Sequence, residues 1–195
     1  MKAGKLTKFY PWLLLGGSFV GLVASVWQAA ERVQMLKHPA AALSCNLNPV
    51  IDCSGVLGNR WAALFGFPNA FIGIAIFGML LMAGVALVTG TRPSKGFQRM
   101  LLAVSTILVL FSFWFFGMSL YVIGKVCIFC LFIWAVSIPV FWYGLISHFR
   151  ALPPKKTWLR KLQDVFERHH LDILLGVYTV MIVLYLLRFH TYYFG

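Results

Sequence analysis

A chain of 195 residues, 61% hydrophobic and only 11% charged, has the composition of a membrane protein and excludes an ordinary water-soluble domain. A net charge of +12 would suit nucleic acid in a soluble protein, but here the basic residues collect between apolar runs, which excludes that class as well.

An α-helix satisfies its own backbone in lipid and needs about 20 residues to cross. Five apolar runs meet that length, at about 10–30, 69–88, 100–123, 126–147 and 171–188. They predict an all-α membrane protein, with residues 1–195 forming a single integral membrane domain. Lys2, Lys5 and Lys8 ahead of the first run imitate a signal peptide, but the run is long and lacks a small-x-small cleavage site, so it reads as a retained helix.

Between the first two runs lies the longest connection, 31–68, which carries Cys45 and Cys53. Its second half, Ser54 to Phe67, mixes glycine with Val56, Leu57, Trp61, Leu64 and Phe65 and predicts a short amphipathic helix lying on the membrane face. The connection after the second run, "TGTRPSKGFQR", is a basic turn. Within 155–168, Trp158, Leu159, Leu162, Val165 and Phe166 recur at helical spacing opposite Lys155, Lys156, Arg160, Lys161 and Arg168, the pattern of an interfacial helix drawn to anionic lipid.

With the N-terminus inside, twelve of the seventeen Lys and Arg residues fall on the inner side. The positive-inside rule therefore predicts an N-inside, C-outside topology. All four cysteines, Cys45, Cys53, Cys127 and Cys130, then lie at or near the outer face. In a bacterium that face is the oxidising periplasm and in a eukaryotic endomembrane it is the lumen, so disulfides form there.

Cys127 and Cys130, in "KVCIFCLF", are expected on the first turn of the fourth helix, where i, i+3 neighbours share a face. The positive end of the helix dipole and nearby Lys125 favour a thiolate, the nucleophile and leaving group of thiol–disulfide exchange. Three other readings are open for these cysteines: ordinary burial, a structural disulfide in the loop, and a metal site. Against metal, Cys45 and Cys53 are separated too widely for a zinc knuckle, and no histidine accompanies either pair at ligand spacing.

Two dithiols on one face suggest a relay, with the loop pair as the mobile and accessible one. The sequence has no dinucleotide-binding glycine motif and no haem or iron–sulfur ligand set, which leaves a lipid-soluble quinone, ubiquinone or menaquinone, as the natural acceptor. Candidate pocket residues are Phe111 and Trp114 in "FSFWFFGMSLY" and Trp134, one turn beyond Cys130, although aromatic residues also pack and form interfacial belts. Asn59 and Asn69 are candidate donors to quinone oxygens.

"CNLNPVIDCSGVLGNRW", followed by "FGFPNAFIG" and then "VCIFC", resembles the vitamin K epoxide reductase family, and in particular its bacterial branch, which does the work of the disulfide-bond oxidase DsbB. The resemblance covers roughly Tyr10 to Leu145. It implies four helices bundled around a quinone, a half-helix in the outer segment and a peripheral fifth helix. It also implies that Cys45 exchanges with a partner protein, that Cys53 links to Cys127, that Cys130 is the thiolate beside the quinone, and that Asn69 hydrogen-bonds a quinone oxygen. Asn59 stands where the family often has serine, and Trp134 where the animal enzymes have a tyrosine. Many bacterial relatives carry a thioredoxin-like domain after the fifth helix; no fused domain of that kind is expected for this chain, and the expected partner is a DsbA-like thioredoxin-fold protein acting in trans at a bacterial inner membrane.

The rival from another class is a small channel or carrier with structural cysteines. The scarcity of ionisable residues inside the five runs argues against it.

Overall fold

The computed structural model describes residues 3–38, 43–151 and 157–195. Lys2, Lys155 and Lys156, used in the sequence reading, lie outside these residues, as do the side chains of Lys5, Lys8, Trp158, Leu159, Arg160 and Leu162. Helices make up most of the described chain: α1 (Ala3–Lys37), α2 (Cys53–Leu57), α3 (Asn69–Val88), α4 (Lys95–Gly117), α5 (Ile128–Ala151), α6 (Thr157–Arg168), α7 (His170–Arg188) and the terminal α8 (His190–Phe194). Five are long and apolar enough to cross a membrane, within Phe9–Lys37, Asn69–Val88, Lys95–Ile123, Ile128–Arg150 and His170–Arg188. The all-α membrane bundle read from the sequence is the fold observed.

Four helices form the bundle. α1 packs along α3 and α5, and α4 packs along α5. Association in lipid rests on close packing rather than on a hydrophobic drive, so small residues sit at the contacts. Gly84 of α3 lies against α1 so closely that a Cβ there would be 2.9 Å from the Leu15 backbone. The core between these helices holds Leu14, Phe77, Leu80, Leu108, Val140 and Tyr143. α7 is peripheral: only 6% of its apolar window is buried, and it touches the bundle through Leu174 and a hydrogen bond from Tyr178 Oη to the Ala135 carbonyl at 2.7 Å.

Several boundaries differ from the sequence reading. α1 runs past Ala30 to Lys37, because "ERVQMLK" is a run of good helix formers that stops only ahead of the His38–Pro39 step. α4 begins earlier, at Lys95, where the Ser94 hydroxyl caps it by accepting from the Phe97 N–H at 3.2 Å. α5 begins later, at Ile128, because the Val126 backbone is taken up in a short parallel bridge to Ile51. The amphipathic helix expected over Ser54–Phe67 is two short pieces, α2 and a 3-10 turn at Arg60–Ala63. Extended Asn59 separates them and caps the second by accepting from the Trp61 N–H at 3.2 Å.

α6 is docked rather than lying alone in the interface. Phe166 packs on Trp142 with ring centroids 5.1 Å apart, Gln163 donates to the Phe149 carbonyl at 2.6 Å, and Glu167 pairs with Arg150. At the other end of the bundle, α4 continues as a π-helical segment, Met118–Ile123. That segment ends on Gly124 at φ +70°, a left-handed conformation suited to glycine, and Arg188 of α7 donates to its Leu120 carbonyl at 2.9 Å.

Candidate active site

The four cysteines gather at one end of the bundle, in a cluster with Val50, Val56, Leu120, Val126 and Trp134. Local hydrogen bonding shapes the loop that carries the first two. Asn48 Oδ1 accepts from the N–H groups of Val50 and Ile51 at 3.0 and 2.7 Å, closing an Asx turn. The Asn46 side chain brackets Ser54, donating to its hydroxyl at 2.6 Å and accepting from its N–H at 3.1 Å. The chain thereby doubles back and Cys45 bonds to Cys53 in a disulfide, with Cα atoms 5.7 Å apart.

The second pair is held against the first by backbone. Val126 N–H donates to the Val50 carbonyl at 2.9 Å and Asp52 N–H to the Val126 carbonyl at 3.0 Å. One residue on from these bonds stand Cys53 and Cys127, whose Sγ atoms are 3.2 Å apart, within the range of a near-attack contact. Asp52 serves three ends: its backbone joins the bridge, Oδ1 caps α2 by accepting from Gly55 N–H at 3.2 Å, and Oδ2 pairs with Lys125. Burial pushes the Asp52 carboxyl up, but the Lys125 ammonium and the N–H groups of Gly55 and Ser54 together outweigh it and hold the group below its ordinary value. The stem of Lys125 runs over Gly55, where a Cβ would collide with it.

Cys127 and Cys130 are both unbonded and buried. Cys127 stands one residue before α5, as its N-cap rather than inside its first turn, and its carbonyl accepts from Leu131 N–H at 3.3 Å. The Cys130 thiol beside it, with the backbone N–H groups of Cys130 and Phe129 at the start of α5, outweighs burial and holds the Cys127 thiol below its ordinary value, which favours thiolate. Cys130 is in the first turn, where Gln28 Nε2 of α1 lies 3.4 Å from its sulfur. The loop pair is not the accessible one expected: Cys45 is 4% exposed and Cys53 fully buried, because the apolar cluster closes over them.

Beyond Cys130 a cavity of about 220 Å³ opens between α1, α3, α4 and α5. Its walls are mostly apolar, and they include Cys130, Asn69, Trp134 and Phe111 from the sequence-based candidates. Asn59 and Trp114 are not among the lining residues. Asn59 caps the 3-10 turn, and Trp114 stacks edge-on with Trp61 at 6.2 Å. Asn69 ties the cap to the bundle: its Oδ1 accepts from Leu64 N–H at 3.1 Å and its Nδ2 donates to the Trp61 carbonyl at 2.7 Å. An amide nitrogen has two N–H groups, so a second donor is left over at the cavity wall.

Sequence reasoning missed Gln28, Arg32, Asp52 and Glu31. Gln28 and Arg32 line the cavity, and Glu31, 5% exposed, accepts a hydrogen bond from the Ser44 hydroxyl beside Cys45. Polar residues placed within or at the end of a membrane helix are costly, and that cost is the signal by which Gln28, Glu31 and Arg32 could have been found; Asp52, in the loop, carries no such signal. Among the described residues, no three His, Cys, Asp or Glu side chains group as metal ligands.

A helical membrane bundle with a bonded cysteine pair 3.2 Å from an unbonded one, beside an apolar cavity, defines a membrane thiol redox protein. Residues 12–145 match the Vitamin K epoxide reductase family, more than half of the chain, and the protein belongs to that family. It is a family of oxidoreductases whose members in general use quinones.

Proposed function

We propose that the protein is a membrane thiol oxidase of the bacterial branch of its family. A reduced thioredoxin-fold protein, DsbA-like and acting in trans, delivers two electrons to Cys45 and Cys53. These pass to Cys127 and Cys130, and a membrane quinone takes them up, supporting disulfide formation on the periplasmic side of the inner membrane. The single observation that carries the reading is the 3.2 Å separation of Cys53 and Cys127 sulfurs, which joins the loop pair to a pair whose second member, Cys130, lines an apolar cavity.

The exchange chemistry follows from this geometry. A partner thiolate attacking Cys45 releases the Cys53 thiolate, which stands within reach of Cys127. When Cys127 and Cys130 are bonded, Cys53 attacks Cys127 and displaces the Cys130 thiolate. The partner's second thiol attacks its own mixed-disulfide sulfur, releasing the oxidised partner and the Cys45 thiolate; Cys45 then attacks Cys53, re-forming the loop disulfide and displacing the Cys127 thiolate, so that Cys127 and Cys130 are both reduced. Re-forming the Cys127–Cys130 bond releases two electrons and two protons on the cavity side.

The cavity fits a quinone in its chemistry. Phe111 and Trp134 offer ring faces, the spare Asn69 N–H offers a donor for a carbonyl oxygen, and the Cys130 sulfur is at the wall. A bound quinone would supply a two-electron, two-proton acceptor that is soluble in the bilayer.

The test is anaerobic mixing of purified protein with a reduced thioredoxin-fold partner, following ubiquinone and menaquinone absorbance. Wild type is expected to consume quinone and Cys130→Ser to consume none. A Cys130→Ser protein that reduces quinone at the wild-type rate would sink the reading.

A further inference from the structure

Gln28 is an amide near the end of the first apolar run, 8% exposed, at a place where leucine would pack without a polar group to satisfy. Burying an amide costs free energy unless it is hydrogen-bonded. Its Nε2 is directed at Cys130 Sγ, 3.4 Å away, across the interface between α1 and α5. Both residues line the cavity. Cys127, three residues earlier, is served first by the Cys130 thiol itself and then by backbone N–H groups at the start of α5. Gln28 is the side chain that reaches the Cys130 sulfur from another helix.

Sulfur is a weak hydrogen-bond acceptor as a thiol and a stronger one as a thiolate, because a charged acceptor roughly doubles the bond. In a mostly apolar cavity the groups that can offset the loss of water around a Cys130 anion are few: the Gln28 amide at 3.4 Å, the start of α5 in which Cys130 stands, and the charge of Arg32, which lines the same cavity. We infer that Gln28 is a positioning residue for Cys130: its amide N–H holds the sulfur at the cavity wall and stabilises it there as thiolate. It gives up no proton and forms no bond in the reaction; it sets how much of Cys130 is ionised and where the sulfur points. The inference rests on the oxidase reading for its biological meaning, but the geometry it invokes is independent of any acceptor.

The test uses full-length protein in detergent with Cys45, Cys53 and Cys127 replaced by serine, so that Cys130 is the sole thiol. Ultraviolet absorbance of the thiolate is titrated against pH with Gln28 intact and with Gln28→Leu. Loss of a hydrogen bond to a charged group predicts a drop of about tenfold in the thiolate-to-thiol ratio at a fixed pH below the midpoint. Gln28→Glu keeps the shape of the side chain but places a carboxylate on the sulfur, so it is expected to shift the titration the same way. It also provides the measurement if the leucine variant does not fold. Gln34→Leu, at an exposed site on the same helix, is the control and is expected to leave the curve in place. Superimposable curves for Gln28→Leu or Gln28→Glu and the parent would overturn the inference while leaving the oxidase reading intact. Quinone reduction that survives Cys130→Ser would defeat the oxidase reading whatever the titration gave.

Discussion

Cys127 is the residue on which the two pairs meet, so variants on either side of it separate the steps. Cys130→Ser is expected to let a Cys53–Cys127 disulfide accumulate: Cys127, 3.2 Å away, can still attack Cys53 of the loop disulfide and release Cys45, whereas Cys130, which would displace Cys53 by attacking Cys127, is gone. Non-reducing electrophoresis after proteolysis between the two cysteines reads this out, and failure to find the crosslink in oxidised protein would count against the proposed order of exchange. Asp52→Asn makes a different prediction. Asparagine still caps α2, so the change removes mainly the pair with Lys125. Because the folded Asp52 carboxyl is held below its ordinary value, its stabilising contribution is fully present above the unfolded Asp value of about 4 and is lost as pH falls through the folded value. The gap in thermal stability between wild type and Asp52→Asn should therefore be present at neutral pH and close under acid; a gap that persists under acid would mean that the carboxylate is not its source. Gly55→Ala should mimic the neutral-pH loss, because the new methyl group displaces the Lys125 stem.

At the scale of elements, glycines of one helix divide sharply by position. Gly84→Val forces a side chain against the Leu15 backbone, which cannot swing aside, and should cost about 1–3 kcal/mol. Gly78→Ala on the same helix meets nothing within 4 Å and should be tolerated. Thermal unfolding in detergent distinguishes the two, and equal melting temperatures would show that α1 and α3 do not pack this closely. Gly124→Ala should cost about 1–2 kcal/mol for left-handed backbone alone. The spans themselves were legible, because a run of about 20 apolar residues has few other fates. The start of α5 was not: hydropathy carries straight through Val126 and Cys127, and only pairing with Ile51, more than seventy residues away in sequence, removes them from the helix. The break at Asn59 was hidden for a related reason, since its capping role depends on a 3-10 turn that hydrophobic spacing does not reveal. Cys130, Asn69, Trp134 and Phe111 were found as cavity residues from chemistry and resemblance, whereas Gln28 reaches the site from a helix a hundred residues earlier and shares no motif with it.

For the whole molecule, the proposed orientation puts the cysteine end outside and the α3–α4 turn inside. In a cysteine-free background, Leu47→Cys should react with a membrane-impermeant maleimide on intact cells and Ser94→Cys only after lysis; both positions are exposed, so the reverse pattern would invert the topology. The closed loop over the first disulfide then takes on a further meaning. Cys45 is 4% exposed and its neighbour Ser44 is fastened to buried Glu31 of α1. Burial thus leaves little of the Cys45 sulfur open to a small reductant that diffuses past. On the proposed reading, a partner protein that pulls Ser44 from its anchor would open the path to that sulfur. Selectivity among the many thiols of an oxidising compartment would thus be kinetic, exercised by a turnstile that admits one customer at a time, so that electrons enter the membrane only in company with the right protein.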